Sequence, residues 1–131
     1  AYNANPDSMA ALIKNLFEIN VPAQGKKIAV LGEMLELGES ADELHAELGE
    51  IVGQTDFDII WFMGPSATSF ERGIKNSGNL KKIMISNSYE ESLANKLRSM
   101  INLQDIVVMK GSRGMQLERV MQQWDPHFAI K

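Results

Sequence analysis

Asp105-Ile-Val-Val-Met-Lys110-Gly111-Ser112-Arg113-Gly114-Met115 is an apolar run that leads directly into a loop carrying two cations and two glycines. The apolar residues predict a buried β-strand, and in an open α/β sheet ligands bind outside the carboxyl ends of the strands. Lys110, Ser112 and Arg113 fall at that end, where a lysine and an arginine indicate an anionic ligand, either phosphate or carboxylate. The glycines let the backbone approach a ligand closely, and a helix beginning near Gly114 would add the positive end of its dipole.

The same loop also fits a solvated turn in which Arg113 pairs with a surface carboxylate such as Glu118. The loop is not a Walker loop, because nothing in the chain matches G-x-x-x-x-G-K-[ST], and an autonomous nucleoside triphosphatase is therefore not expected. A receiver domain is not expected either, because the predicted strands end at glycine, serine or lysine and not at a phosphorylatable aspartate.

Strand and helix patterns alternate along the rest of the chain. Short, continuous apolar runs predict strands at residues 27–32, 59–63, 82–86 and 105–109, and residues 128–130 could add an edge strand. Amphipathic segments separate these runs, and such alternation is typical of a parallel sheet covered on both faces. We therefore expect an α/β fold with a Rossmann-like, doubly wound, mostly parallel sheet and helices on both faces.

The helix starts carry sequence signals of their own. Asn5 can cap the first helix, Pro6 suits its first position, and capping boxes at residues 40–43 and 88–91 open two others. A weaker pattern predicts a helix between residues 66 and 78. The expected buried faces are formed by Met9, Leu12, Ile13, Leu16 and Phe17; by Leu44, Leu48, Ile51 and Val52; by Leu93, Leu97, Met100 and Ile101; and by Leu117, Val120, Met121 and Trp124.

Composition bounds the function further. A chain of 131 residues is long enough for one domain, and its net charge of −4 without a run of cations predicts neither a nucleic-acid nor a membrane partner. The absence of cysteine excludes disulfides and thiolate sites, and two histidines far apart do not predict a zinc site. No apolar run reaches the about 18 residues of a membrane span. We expect a cytoplasmic domain without a metal site.

Two further loops are candidate binding elements. Tyr2, Asn3 and Asn5 lie ahead of the first helix, where Tyr2 could stack on a base or ribose, although the pattern by itself favours Asn5 as a cap and Tyr2 as a packing residue. The segment 32–39 is long for a strand-to-helix connection, and loops of that kind are usually functional or interfacial.

The segment 32–39 offers both binding and packing interpretations. Glu33 could orient a ligand or a cation, and Leu35 and Leu37 could dock on a neighbouring domain, while a local core with surface carboxylates is the simpler alternative. His45 lies in the following helix, where a lone histidine is more often a hydrogen-bonded packing residue than a catalyst. Glu33 and His45 are therefore candidate loop contacts.

Three motifs together resemble one known family. They are Tyr2-Asn3-Ala4-Asn5-Pro6-Asp7-Ser8-Met9, then Ala29-Val-Leu-Gly-Glu-Met-Leu-Glu-Leu-Gly38 with His45 and Gly53 beyond it, and Val108-Met-Lys-Gly-Ser-Arg-Gly-Met115 with Glu118. In this order and spacing they closely resemble the Mur ligase family, in the branch that adds D-alanyl-D-alanine. Glu33 stands where the family motif more often has aspartate, which gives the carboxylate a longer reach.

The resemblance implies an enzyme of peptidoglycan synthesis built from three domains. Residues 1–131 resemble the C-terminal, Rossmann-like domain, and we expect the N-terminal and central ATPase domains, and part of the first strand, to be missing. The family's reaction uses ATP to phosphorylate the terminal carboxylate of UDP-N-acetylmuramoyl-tripeptide, and the amine of D-Ala-D-Ala attacks the resulting acyl phosphate. The fragment alone is expected to be inactive. The alternatives are a Mur-type ligase for another amino acid and a non-catalytic, flavodoxin-like binding module.

The resemblance also implies roles for particular residues. Tyr2, Asn3 and Asn5 would face the nucleotide, while Lys110, Ser112 and Arg113 would lie near the dipeptide. ATP and Mg²⁺ would be bound mainly by the absent central domain. The expected partners are D-Ala-D-Ala, UDP-N-acetylmuramoyl-tripeptide and the chain's own N-terminal and central domains.

Overall fold

The computed structural model describes residues 6–9, 11, 24–78, 82–111 and 117–125, and its strands alternate with helices. The strands are β1 (Lys27–Gly32), β2 (Ile59–Met63), β3 (Lys82–Ser86) and β4 (Ile106–Lys110). The helices are α1 (Ala41–Gly53), α2 (Ala67–Asn76), α3 (Glu91–Ser99) and α4 (Leu117–Trp124), and a short 3-10 helix at Gly38–Ser40 precedes α1. Residues 6–9 and 11 are also helical. The predicted strands are confirmed, with the last one shifted by one residue.

The four described strands form one parallel sheet in the order β3-β2-β1-β4. The chain moves from β1 to β2 and β3 in one direction and then returns to place β4 on the other side of β1. This reversal is a topological switch point, and ligands in such sheets bind outside the carboxyl ends of the strands at that point. Because Leu31 pairs with Lys110, the ends of β1 and β4 lie side by side there.

The two faces of the sheet carry separate hydrophobic cores because alternate strand residues point to opposite sides. One core joins Ala29, Leu31, Ile60 and Phe62 to α1 and α2. The other joins residues such as Val30 and Trp61 to α3 and α4. The expected doubly wound α/β architecture is therefore confirmed, although the predicted strand at residues 128–130 lies outside the described residues.

Neither predicted capping box forms its side-chain hydrogen bond, although α1 begins after Ser40 as predicted. Ser40 makes no side-chain capping bond, because the 3-10 helix before it already gives Ser40 a right-handed helical backbone. The residue that caps α3 is Glu90 and not Ser88, and it also caps without a side-chain hydrogen bond. A capping side chain needs an extended backbone at the right residue, which sequence spacing alone does not guarantee.

The buried face of α1 differs from the predicted one at Ile51, which is 42% exposed. The predicted Leu48 and Val52 are buried, and His45, Gly49 and Gly53 are buried beside them. The reason is the close packing of α1 on α2: a Cβ on Gly49 would lie 2.2 Å from the Phe70 carbonyl oxygen. This backbone-to-backbone contact turns the glycine stripe of α1 inward and leaves Ile51 at the margin. In α3, Leu97 is buried with Ala94, and the predicted Leu93 is partly buried. The predicted Met100 and Ile101 follow the end of α3 and are also partly buried around that core.

Candidate functional site at the carboxyl edge

The ends of β1 and β4 touch at the switch point. A Cβ on Gly111 would lie 3.1 Å from the Gly32 Cα and 2.7 Å from the Leu117 Cδ1, so a larger residue at position 111 would require its neighbours to shift. Lys110 precedes this contact as the last residue of β4 and is partly buried. The sequence-predicted cation therefore lies at the crevice where the topology favours a ligand.

The Lys110 ammonium group has no ion-pair partner within the described part of the chain. Lys26, Lys27 and Lys75, by contrast, do form ion pairs there. A partly buried, unpaired ammonium is suited to a carboxylate or phosphate, because it gains more from an anion than a fully hydrated charge does. The other residues predicted for this site lie outside the described residues: Tyr2, Asn3, Asn5, Ser112 and Arg113.

Glu33 is buried and bound to the turn that follows β2. Its Oε1 accepts a hydrogen bond from the Ser66 amide at 2.8 Å, and its Oε2 accepts one from the Ser66 hydroxyl at 2.7 Å. Since a buried carboxylate is costly unless hydrogen-bonded, these two bonds hold it in place. Both oxygens are engaged by Ser66, and the expectation that Glu33 orients a ligand stays a prediction.

His45 is fully buried beneath the same loop. The Met34 amide donates to its Nε2 at 2.9 Å, so the ring hydrogen lies on Nδ1, which donates to the Ala41 carbonyl at 2.7 Å. The 3.7 Å between Nε2 and Glu33 Oε2 is therefore a close approach and not a hydrogen bond in this tautomer. Both ring nitrogens form hydrogen bonds with backbone groups, so His45 holds the loop that follows β1 to α1.

The rest of the loop divides into a packed part and an exposed part. Leu37 packs against the core beside α1, whereas Leu35 is 45% exposed. Glu36 adopts a left-handed backbone with φ of 64°, an unusual conformation for a residue other than glycine. Of the two leucines expected to dock elsewhere, only Leu35 is available for such a contact.

Ser86 is the last residue of β3, and its hydroxyl accepts a hydrogen bond from Trp61 Nε1 at 3.0 Å.

Tyr89 follows β3 and contacts a cation. The Arg119 guanidinium lies 4.3 Å from the centre of the Tyr89 ring. Burial and the Glu91 carboxylate raise the pKa of the Tyr89 phenol, with Arg119 opposing them. Tyr89 therefore keeps its proton at neutral pH and acts as a stacking surface for the cation.

Sequence reasoning missed Ser66 as the partner of Glu33. The available signal was its position three residues after the end of β2, in the turn Gly64-Pro65-Ser66. Within the described residues, no group of three histidine or carboxylate side chains is placed to hold a metal ion. None of the helices in the described ranges is long and apolar enough to span a membrane.

A protein-family model and several known proteins match this chain. The model for "Mur ligase, glutamate ligase domain" matches residues 1–113. The chain is 33% identical over 122 residues to the UDP-N-acetylmuramoyl-tripeptide–D-alanyl-D-alanine ligase of Bacillus subtilis, a match that covers 92% of this chain and 26% of that protein. The corresponding ligase of Treponema pallidum is 34% identical over 121 residues, covering 91% and 25%.

A solved structure agrees with the sequence matches. The MurF ligase of Thermotoga maritima, crystallised in complex with ADP, superimposes with a TM-score of 0.74 at 32% identity, covering 96% of this chain and 27% of that one. The chain thus spans about a quarter of the length of its relatives. With a family model matched over most of its length, the chain belongs to the Mur ligase family, as a glutamate ligase domain.

Proposed function

We propose that this chain is the C-terminal domain of the ligase that joins D-Ala-D-Ala to UDP-N-acetylmuramoyl-tripeptide in peptidoglycan synthesis. The observation that carries the proposal is the match over nine-tenths of the chain to ligases with that specificity. The position of Lys110 at the switch point supports it, because both substrates of the reaction carry carboxylates that a cation can bind.

The role we assign to this domain is to hold the amine substrate and orient it toward the acyl group. Lys110 would bind the dipeptide carboxylate or the charge that develops as the amine attacks, with Ser112 and Arg113 beside it. Orientation of two reactants removes translational entropy from the barrier, and a placed cation stabilises developing negative charge. Tyr2, Asn3 and Asn5 would face the nucleotide.

The described residues suit an anion better than a metal. Lys110 could meet a phosphate or carboxylate, whereas no carboxylate cluster in the described ranges could hold Mg²⁺. We therefore assign the binding of Mg²⁺ and most of ATP to the central domain of the longer polypeptide. ATP, when bound, supplies the phosphoryl group that activates the tripeptide carboxylate. The partners are that central domain, the N-terminal domain and the two substrates, and the site of action is the cytoplasm.

The test is a ligation assay with the full-length protein that contains this chain. Mg-ATP and UDP-N-acetylmuramoyl-tripeptide are supplied with D-Ala-D-Ala, and the product is identified by mass, with ADP released in equal amount. Parallel reactions supply D-glutamate, L-lysine or meso-diaminopimelate with the precursor appropriate to each. Ligation of a single amino acid in place of the dipeptide would assign the chain to another Mur ligase. No ligation at all by a folded protein would favour a non-catalytic binding module.

A further inference from the structure

Three neighbouring strand ends are in direct contact at the carboxyl edge. A Cβ on Gly64, which follows β2, would lie 2.7 Å from Glu33 Oε1 and 2.8 Å from Glu33 Cβ. Gly64 also has a φ of 153°, which side-chain-bearing residues rarely adopt. On the other side, Gly32 is in contact with Gly111. The contacts therefore run from the end of β2 through Glu33 and Gly32 to the residue after Lys110.

Glu33 lies in the middle of this row of contacts. Its side chain is only 8% exposed, so moving it would separate a carboxylate from both Ser66 donors in a poorly hydrated environment. The Met34 amide beside it is held by His45. The end of β1 is thus fixed on both sides of Gly32, by the sheet before it and by these hydrogen bonds after it.

We propose that Glu33, through its bonds to Ser66, is a positioning residue for Lys110. Fixing Gly32 fixes the surface against which Gly111 packs, and this contact sets the direction in which Lys110 leaves β4. The carboxylate acts through the backbone and does not touch the ligand. The inference rests on the proposed function for its kinetic consequence, but the structural coupling between Glu33 and Lys110 can be measured separately.

The variants are Glu33→Ala, Glu33→Gln and Ser66→Ala in the full-length ligase. We expect Glu33→Ala and Ser66→Ala to raise the KM for D-Ala-D-Ala about 10- to 100-fold with a smaller change in the KM for ATP, because the cation is misplaced. Glu33→Gln should recover most of the loss, since its amide oxygen can accept from the Ser66 amide while its NH₂ donates to the Ser66 hydroxyl.

The matched control is a second carboxylate–serine pair, in which the Ser69 hydroxyl donates to Asp42 Oδ1 at 2.9 Å. It joins the first turn of α1 to the first turn of α2 and does not involve Gly32 or Gly111. Asp42→Ala and Ser69→Ala should leave the KM for D-Ala-D-Ala unchanged. If all four alanine variants lower the melting temperature but none changes this KM, Glu33 is only structural and the inference is wrong.

A second readout does not depend on activity. In full-length protein labelled with ¹⁵N-lysine and ¹⁵N-glycine, Glu33→Ala should shift the amide signals of Lys110 and Gly111, Glu33→Gln should restore them, and Asp42→Ala should not move them. Unmoved signals in Glu33→Ala would overturn the inference whatever the kinetics show. Absence of ligation by the wild-type protein would instead refute the proposed function, and the amide shifts alone would then decide the coupling.

Discussion

The two ends of the sheet differ in whether the lysines around the start of β1 and at the end of β4 are paired with carboxylates. At the amino end, Lys26 pairs with Asp105 and Lys27 with Asp56, each with a nitrogen–oxygen distance of 2.9 Å. At the carboxyl end, Glu33 is held by Ser66, and Lys110 has no ion pair within the described ranges. Two lysines at the amino end are therefore neutralised by carboxylates, whereas Lys110 at the carboxyl end has no such partner among the described residues.

In this comparison, the paired charges at the amino end concern stability, and the proposed role of the carboxyl end is ligand binding. Ion pairs that satisfy one another support the structure but leave no electrostatic attraction for a substrate. An unpaired cation adds little stability and retains its full attraction for an anion. Substitutions at the two ends should therefore produce different phenotypes, and the following experiments test whether they do.

The largest effect is expected from Lys110→Ala. We expect kcat/KM for D-Ala-D-Ala in the full-length ligase to fall on the order of 100-fold, because the substitution removes the cation that we propose to contact the substrate or its developing charge. The melting temperature should hardly change, since Lys110 has no ion pair to lose in the described structure. Steady-state kinetics and thermal unfolding measure the two quantities.

The matched control for this substitution is Lys82→Ala, which removes an exposed lysine from the beginning of β3, at the opposite end of the sheet. Its kcat/KM should equal that of the wild type. A similar loss of activity in both variants would show that general charge, and not the position of Lys110, matters.

The next largest effect is expected from Asp105→Asn, and it concerns stability. The Asp105 carboxylate has a fully buried side chain and accepts from the Lys26 amide at 2.7 Å and the Asn102 amide at 2.8 Å. The amide of asparagine can replace one of these acceptors but not both, so the free energy of unfolding should fall by about 1–3 kcal/mol. Urea denaturation followed by tryptophan fluorescence measures the loss. An unchanged free energy of unfolding would show that the Asp105 carboxylate does not stabilise the amino end of the sheet.

Acid should remove the same contribution from the wild type. Burial raises the pKa of the Asp105 carboxyl, but hydrogen bonds from Asn102 and Lys26 and the Lys26 charge outweigh burial, so the pKa lies below its ordinary value of 3.8. A carboxyl with a lower pKa in the folded than in the unfolded state stabilises fully above 3.8 and loses that contribution as the pH falls through the folded-state pKa. The stability gap between wild type and Asp105→Asn should stay constant from pH 7 to about 5 and narrow below 4. A stability difference that widens in acid would show that folding raises the pKa of Asp105 and does not lower it.

The smallest effect is expected from Asp56→Asn, at the same end of the sheet. The Asp56 side chain is 62% exposed, so its pair with Lys27 is screened by water and should contribute less than about 1 kcal/mol. Added salt should reduce this difference further, whereas the effect of Asp105→Asn should persist. Urea denaturation at low and high ionic strength distinguishes the two carboxylates.

Much of the fold could be predicted because strand signals are local. Continuous apolar runs such as Ile59–Met63 predict buried parallel strands without knowledge of any partner. The buried face of α1 was predicted less well, since the contact of Gly49 with α2 rotates that helix and replaces Ile51 with His45 in the core. Hydrophobic periodicity gives the period of a helix but not how closely another helix will approach it.

For the candidate site, the residues themselves were predictable and their relations were not. The sequence alone determined that Lys110 ends an apolar strand before a glycine and that Glu33 follows another, because both follow from local pattern. That β4 is only partly buried is decided by the tertiary structure. Only the tertiary structure decided that β4 lies beside β1, that Gly32 contacts Gly111, and that Ser66 binds Glu33. These contacts join residues more than thirty positions apart, and strand order and packing choose such partners because no local interaction distinguishes among them.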